Sequence, residues 1–339
     1  MVSQLNKINS TSQSNDRLPK SASINPYVFL VGCPRSGTTM LKRMVSAHPT
    51  VAITRETHWI PKIFEKRYGM DDAGKVTPRI VEKLFEHHRF DQMKFRAEKL
   101  TKLIENNPGM SYSELVSRIF ENYGRRKNKP LVGDKTPSYV RSLPTLVQLW
   151  PKARFVHLIR DGRDVCLSMR KWRMASKAAG SFSTFQSEPV VTTALWWKAL
   201  VGLGREDGMP ISEKRYYELS YESLVTQPGE ECRRLAHFLD LPYYQSMEKY
   251  YEGRTQAEAG LSTNAAWLPP TPGRRNWRDQ MEAADVAQFE AAAGDLLEML
   301  GYERASSGIS ARNQQLVAKV REQFQQEAAQ RNWRLPKLW

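Results

Sequence analysis

A chain of 339 residues with 40% apolar and 10% aromatic content has the composition of a folded protein and length enough for a large core. No stretch nears the roughly 18–20 apolar residues that span a bilayer. Three widely spaced cysteines and six histidines without metal-ligand spacing predict no metal site and a reducing, cytoplasmic location, while the net charge of +15 asks for an anionic partner: nucleic acid, a polyanionic small molecule or an acidic acceptor.

Residues 1–24 are rich in Ser, Asn and Gln with no apolar core, and read as a disordered polar tail. Tyr27 to Val31 then form a continuous apolar and aromatic run, the pattern of a strand buried on both faces. The tight loop Gly32-Cys33-Pro34-Arg35-Ser36-Gly37 follows. From Thr38 a helix is predicted, with Met40, Leu41, Met44 and Val45 on one face, ending at Ala47-His48-Pro49. Strand, glycine-bounded loop and helix N-terminus make an oxyanion cradle, because free backbone N–H groups and the helix dipole converge on one spot. Cys33 inside that loop reads as a small filler residue.

Further along, Val51-Ala52-Ile53 is a short strand and residues 60–128 are largely helical. Leu131 to Pro137 is a short apolar segment ending in a polar turn, and residues 139–151 are helical, with Pro144 starting a new turn. Phe155 to Ile159 is another buried strand, followed by Arg160-Asp161-Gly162-Arg163-Asp164 and a helix beginning near Val165. Tyr216 to Leu219 is a further strand. After Ser220-Tyr221-Glu222 one helix runs to Leu241-Pro242. Residues 253–276 form a long loop rich in Gly, Pro, Thr and Arg, and a helix from about Gln280 to Leu300 is stopped by Gly301. Leu316, Val320 and Phe324 mark a last amphipathic helix. Alternating strands and helices predict an α/β fold: a P-loop-type, mostly parallel sheet with helices on both faces, plus helical insertions, binding ligands at the carboxyl ends of its strands.

A Walker loop reads GxxxxGK[ST]. Here Gly32 and Gly37 keep the glycine spacing, but Thr38 stands where the lysine belongs, which leaves the loop poorly equipped to hold β- and γ-phosphates against magnesium. Arg35 supplies a fixed fork for oxyanion oxygens instead. Arg141 to Lys177 carry nine basic and two acidic residues, so part of the charge excess surrounds the second strand–turn–helix.

These motifs resemble the sulfotransferases that use 3′-phosphoadenosine 5′-phosphosulfate (PAPS), most closely in pattern the tyrosylprotein sulfotransferases and their bacterial relatives. The resemblance covers about Asn25 to Arg304, which gives a domain over residues 25–305 and a C-terminal helix and tail over 306–339. It implies that Pro34, Arg35, Ser36, Gly37, Thr38 and Thr39 hold the 5′-phosphosulfate, Arg160 and Ser168 converge on the 3′-phosphate, and Tyr221 helps hold the adenosine part. Arg274 or Arg275, in Gly273-Arg274-Arg275-Asn276-Trp277-Arg278, also reaches the 3′-phosphate. Glu56 inherits the role of catalytic base. Lys135, with Arg35, neutralises charge on the bridging oxygen as 3′-phosphoadenosine 5′-phosphate (PAP) leaves, and Ser262 resembles a transition-state serine.

The expected activity is in-line transfer of a sulfuryl group from PAPS to an acceptor hydroxyl without a metal. The acceptor is a small molecule, a carbohydrate or a peptidyl tyrosine, with no nucleic-acid or membrane partner. Acceptor choice falls in residues 60–128 and 175–212, which carry no readable code; oligomeric state is likewise unreadable. The alternatives are a P-loop kinase or NTPase, which wants a lysine at position 38, and a basic nucleic-acid-binding protein, which wants a recognisable module.

Overall fold

The computed structural model describes residues 24–252, 268–305, 308–337 and 339. Most of the predicted tail, the first part of the 253–276 loop and Ser262 lie outside the described residues.

Five strands, β1 (Val28–Gly32), β2 (Val51–Thr54), β3 (Leu131–Lys135), β4 (Arg154–Ile159) and β5 (Tyr216–Ser220), form a sheet in the order β2-β3-β1-β4-β5 with every pairing parallel. The central strand is the first apolar run of the sequence, buried along its whole length. Its side chains alternate between two cores. Phe29 and Val31 join Phe155 and Ile159 on one face, whereas Val28 and Leu30 join Val156 and Leu158 on the other. Gly133 in β3 is needed for this packing, since a Cβ there would lie 2.4 Å from the Val28 carbonyl oxygen.

The second face is covered by α1 (Thr38–Ala47), through Leu41, Met44 and Val45, and later in the chain by α9 (Tyr221–Thr226) and α10 (Pro228–Phe238). The predicted single helix after β5 is thus two helices, split where Pro228 removes a donor and fixes φ. Between β2 and β3 lie α2 (Ile60–Glu65), α3 (Arg79–Glu86), α4 (Ala97–Glu105) and α5 (Tyr112–Lys127). Helix α5 opens on a Ser111/Glu114 capping box that satisfies backbone donors from both sides.

On the first face, α6 (Leu143–Leu149) begins at the turn that Pro144 starts, and α7 (Gly162–Arg170) begins three residues ahead of the predicted Val165. The early start follows from Asp161, whose carboxylate caps the Arg163 N–H. The long helix α8 (Pro189–Gly208) escaped the sequence reading because it is buried nearly all round and shows no amphipathic stripe. It packs beside α7 and, after the one-turn helix α11 (Trp277–Gln280), beside α12 (Ala283–Met299) and α13 (Ala311–Gln330). Helix α13 turns Val317, Val320, Phe324 and Ala328 inward, leaving Leu316 at the edge of that face. Phe324 stacks on Phe182 with ring centroids 3.9 Å apart, so this helix packs on its own chain.

Candidate active site

All five strands deliver a candidate residue at their carboxyl ends. Beyond β1 come the loop and Arg35; beyond β2, Glu56; on β3, Lys135; after β4, Arg160; after β5, Tyr221. A parallel sheet gathers side chains distant in sequence at one edge in this way.

The loop between Gly32 and Gly37 is held by a backbone bond from the Ser36 N–H to the Cys33 carbonyl. Gly37, at φ 97°, occupies the helix N-cap in the left-handed region, and a Cβ there would sit 2.5 Å from the Tyr221 ring. Glycine therefore serves both the turn and the close approach of that ring to the loop. Ser36 Oγ is buried without a hydrogen-bond partner among the described residues, as is Arg160 Nε. Burial pushes the Cys33 thiol far above its ordinary range, which suits a filler residue.

Arg35, itself left-handed at φ 80°, donates from Nε to Ser168 Oγ at 2.9 Å and lies 5.0 Å from the centroid of the Trp172 ring. Burial and the neighbouring Arg275 and Arg160 guanidinia lower its pKa to about 10. Arg160 stacks over Tyr221 at 4.1 Å and pairs with Asp164 at 2.9 Å. Ser168, expected to grip one phosphate together with Arg160, accepts a hydrogen bond from Arg35. The Arg160–Asp164 pair is an i, i+4 ion pair, and it is buried. Asp164 also accepts from the Trp277 N–H at 3.0 Å, tying the basic loop to α7, and Trp197 of α8 donates from Nε1 to the Arg160 carbonyl at 3.1 Å.

Arg160, Tyr221, Arg274 and Arg275 line a cavity of about 110 Å³. Arg275 is half-buried, with its pKa lowered by burial and by Arg160 and Arg274, whereas Arg274 is exposed.

On the opposite side of the loop, Glu56 and Lys135 form an ion pair of 2.8 Å, and the lysine is almost wholly buried. Glu56 is placed by the end of β2 and the segment after it. There Thr54 donates to Asp134 at 2.7 Å, the Thr57 N–H donates to Thr136 at 2.9 Å, and the Ile60 N–H donates to the Tyr139 hydroxyl at 3.1 Å. Burial acts to raise the Glu56 pKa, but His58, which bonds Oε2 at 3.1 Å, and Lys135 together hold it well below the carboxylate range. Arg89 lies 3.5 Å from the same oxygen. Burial pushes the neighbouring Asp134 carboxyl up to about 6.

Trp172, His58 and Arg89 were missed by sequence reasoning. His58 stands two residues from Glu56; no local signal marks Arg89, which follows α3. A second cleft, of about 280 Å³, lies between His58, Pro61, Lys62, Ser138 and Arg141. No group of three or more His, Cys, Asp or Glu capable of holding a metal ion occurs among the described residues, and no helix there is long and apolar enough to cross a membrane.

The chain has relatives among known proteins. The chain is 28% identical over 221 residues to protein-tyrosine sulfotransferase A of Caenorhabditis elegans, covering 65% of this chain and 51% of that protein. It is 26% identical over 288 residues to the protein-tyrosine sulfotransferase of Drosophila melanogaster, covering 82% and 52% respectively. The chain thus spans about half the length of these two curated relatives. Among solved structures it is similar to the sulfotransferase domain from the curacin biosynthetic pathway, with a TM-score of 0.49, 19% identity, and coverage of 93% of this chain and 100% of that one. The cytoplasmic location expected from the cysteines is overturned by the relatives, since protein-tyrosine sulfotransferases are Golgi-resident enzymes. Three unpaired cysteines in a chain with a large core do not fix a compartment. The sulfotransferase family model matches residues 26–245, well over half of the sequence, and the chain belongs to the sulfotransferase family.

Proposed function

We propose that this chain is a P-loop-type, nucleotide-binding transferase that moves the sulfuryl group of PAPS to an acceptor hydroxyl by in-line displacement. The observation that carries this reading is the convergence of Arg160 and Arg275 on one cavity with Arg35 beside them: Arg275 and Arg160 lower the proton affinity of Arg35, and Arg160 and Arg274 lower that of Arg275. The donor fits the chemistry of the site: the unpartnered Ser36 Oγ and Arg160 Nε are donors in a buried, cationic setting.

In this assignment Pro34 to Thr39 and the start of α1 cradle the 5′-phosphosulfate. Arg160, Ser168, Tyr221 and Arg275 hold the nucleotide end, with Arg275 favoured over Arg274 because it is the one coupled to both other arginines. Glu56 removes the proton of the attacking hydroxyl as the oxygen–sulfur bond forms. The bond from sulfur to the bridging oxygen breaks at the same time, and Lys135 and Arg35 stabilise the charge left on the departing PAP. The names of the relatives make a peptidyl tyrosine the first acceptor to try, with small-molecule and carbohydrate hydroxyls beside it.

The test is PAP release from PAPS with tyrosyl peptides, phenols and sugars, in wild type and Glu56→Ala. Transfer is expected to need an acceptor and to fall by about 10²–10⁴ in the variant. Equal transfer by a variant with intact PAPS affinity would remove Glu56 from its role. Magnesium-dependent ATP turnover without any sulfuryl transfer would replace the reading itself.

A further inference from the structure

Two cations hold the Glu56 carboxylate, yet a third group reaches it that the mechanism above does not use. His58 Nε2 lies 3.1 Å from Oε2, while Lys135 takes Oε1 at 2.8 Å. Donors on opposite oxygens fix the plane of a carboxylate, which one donor alone leaves free to turn. The backbone is shaped for this contact: His58 has φ 59°, a left-handed conformation uncommon outside glycine, and its ring bonds the side chain two residues earlier. On the other side of the ring, Ser138 Oγ lies 3.4 Å from Nδ1. With Ser138 donating there, the neutral ring carries its proton on Nε2 and donates it to Glu56.

We propose that His58 is a positioning residue for Glu56, orienting the carboxylate through Nε2–H while neutral and weakening it as a base when protonated. This rests on the sulfuryl-transfer reading and names a further part of that same site. The ring also lines the 280 Å³ cleft, so solvent can exchange its proton. The charged and titratable groups around it are Glu56 on its own segment, Lys135 and Asp134 of β3, His87 and Arg89 after α3, Lys62 and Glu65 of α2 with Lys66 at its end, and Tyr139 and Arg141 across the cleft. Most of these are cationic. A charged ring adds one more positive group to a carboxylate that already faces Lys135 and Arg89. A carboxylate stabilised further as the anion accepts the acceptor's proton less readily, so turnover falls as the imidazole protonates.

The test compares wild type, His58→Gln and His58→Ala for kcat and for KM of PAPS between pH 5 and 9, using the acceptor that releases most PAP. In parallel, the His58 ring is titrated by NMR in wild type and Glu56→Gln. His58→Ala should lose about tenfold or more in kcat, with KM for PAPS within about twofold, since the ring is remote from the nucleotide cavity. His58→Gln keeps an N–H donor without a titrating proton. It should retain most of kcat at pH 8 and move the acid limb down by about one unit or more. Glu56→Gln should move the His58 ring resonances, because the ring loses its hydrogen-bonded carboxylate.

An unchanged acid limb in His58→Gln, or full kcat in His58→Ala, overturns the proposal. So does a Glu56→Gln enzyme that still turns over while His58→Ala does not, because the ring would then be the base itself. A wild type that releases no PAP with any acceptor sinks the sulfuryl-transfer reading instead. The NMR comparison still decides the contact in that case, and unmoved ring resonances overturn the proposal.

Discussion

Replacing Arg35 by Met separates a binding residue from a structural one. The drop in its pKa from the ordinary 12.5 to about 10 corresponds to about 3 kcal/mol held against the charged form in the folded state. The sign is that of a base lowered on folding, so this penalty is fully present at neutral pH and fades only above pH 10. Against it stand a charge-assisted bond to Ser168, worth roughly 1.5–3 kcal/mol, and the contact with Trp172, worth roughly 1 kcal/mol. The two sides nearly cancel. Arg35→Met should therefore leave the Tm of the unliganded protein within a few degrees of wild type, although a partly buried arginine has been removed. PAP at a hundred times its Kd should stabilise wild type by about 2.7 kcal/mol, or about 5–10 °C at the slope usual for domains of this size. The variant should lose at least half of that shift. Differential scanning fluorimetry with and without PAP measures both quantities. A variant that unfolds 10 °C early yet keeps the full PAP shift would refute the reasoning, because Arg35 would then be a brace and not part of an anion site.

Lys135→Ala should reduce kcat by about 10²–10³ with a smaller change in PAP affinity, as read by stopped PAP-release assays and calorimetry, because its contact is with Glu56 and not with the nucleotide cavity. Gly37→Ala should destabilise by about 1–3 kcal/mol in urea and weaken PAP binding, since its Cβ meets the Tyr221 ring and its φ is left-handed. Glu290→Gln should destabilise by about 3–5 kcal/mol in the same assay, because it weakens the buried pair with Arg163 at 2.7 Å. Asp134→Asn should stabilise by up to about 3 kcal/mol at pH 8, a value that follows from the rise of the carboxyl to about 6. That carboxyl is raised on folding, so its stability contribution is present below about pH 4 and lost as pH rises through 6; the variant's advantage should vanish by pH 4 in pH-dependent urea melts.

Four of the five strands were legible because each is a short apolar run ended by polar or glycine punctuation, whereas β3 read only as a short apolar segment; the loop was legible because its glycines are spaced for a cradle. What joins them was legible only through resemblance. Nothing local says that Glu56 and Lys135, 79 positions apart, form an ion pair; the parallel register of β2 on β3 does that. The start of α7 was misplaced because Asp161, Arg163 and Asp164 are polar and the apolar pattern of the helix begins only at Val165. In the fold Arg163 is buried against Asp161, Glu290 and the Trp277 ring, so polar residues occupy core positions there. Helix α8 hid for the opposite reason, having no polar face to reveal its period. Arg89 reaches Glu56 from a helical layer whose own sequence says only that it is helical.

The net charge of +15 divides on the same physical ground. Several buried cations are neutralised by carboxylates: Arg163 by Asp161 and Glu290, and Lys198 by Asp295. Such pairs hold helices to one another and leave no field for a ligand. Arg35 and Arg275 differ, because the groups that lower their proton affinity beyond burial are chiefly other arginines. Arg160 belongs to both sets, anchored by Asp164 and facing Arg35 and Arg275. One helix, α7, thus carries Arg163 into the core and Ser168 to the cradle, and its first turn holds Arg160 at the seam. A cation that is buried, aimed at a gap and repelled by its neighbours is costly unless an anion visits it. That cost, more than the count of basic residues, distinguishes an anion site from a basic surface.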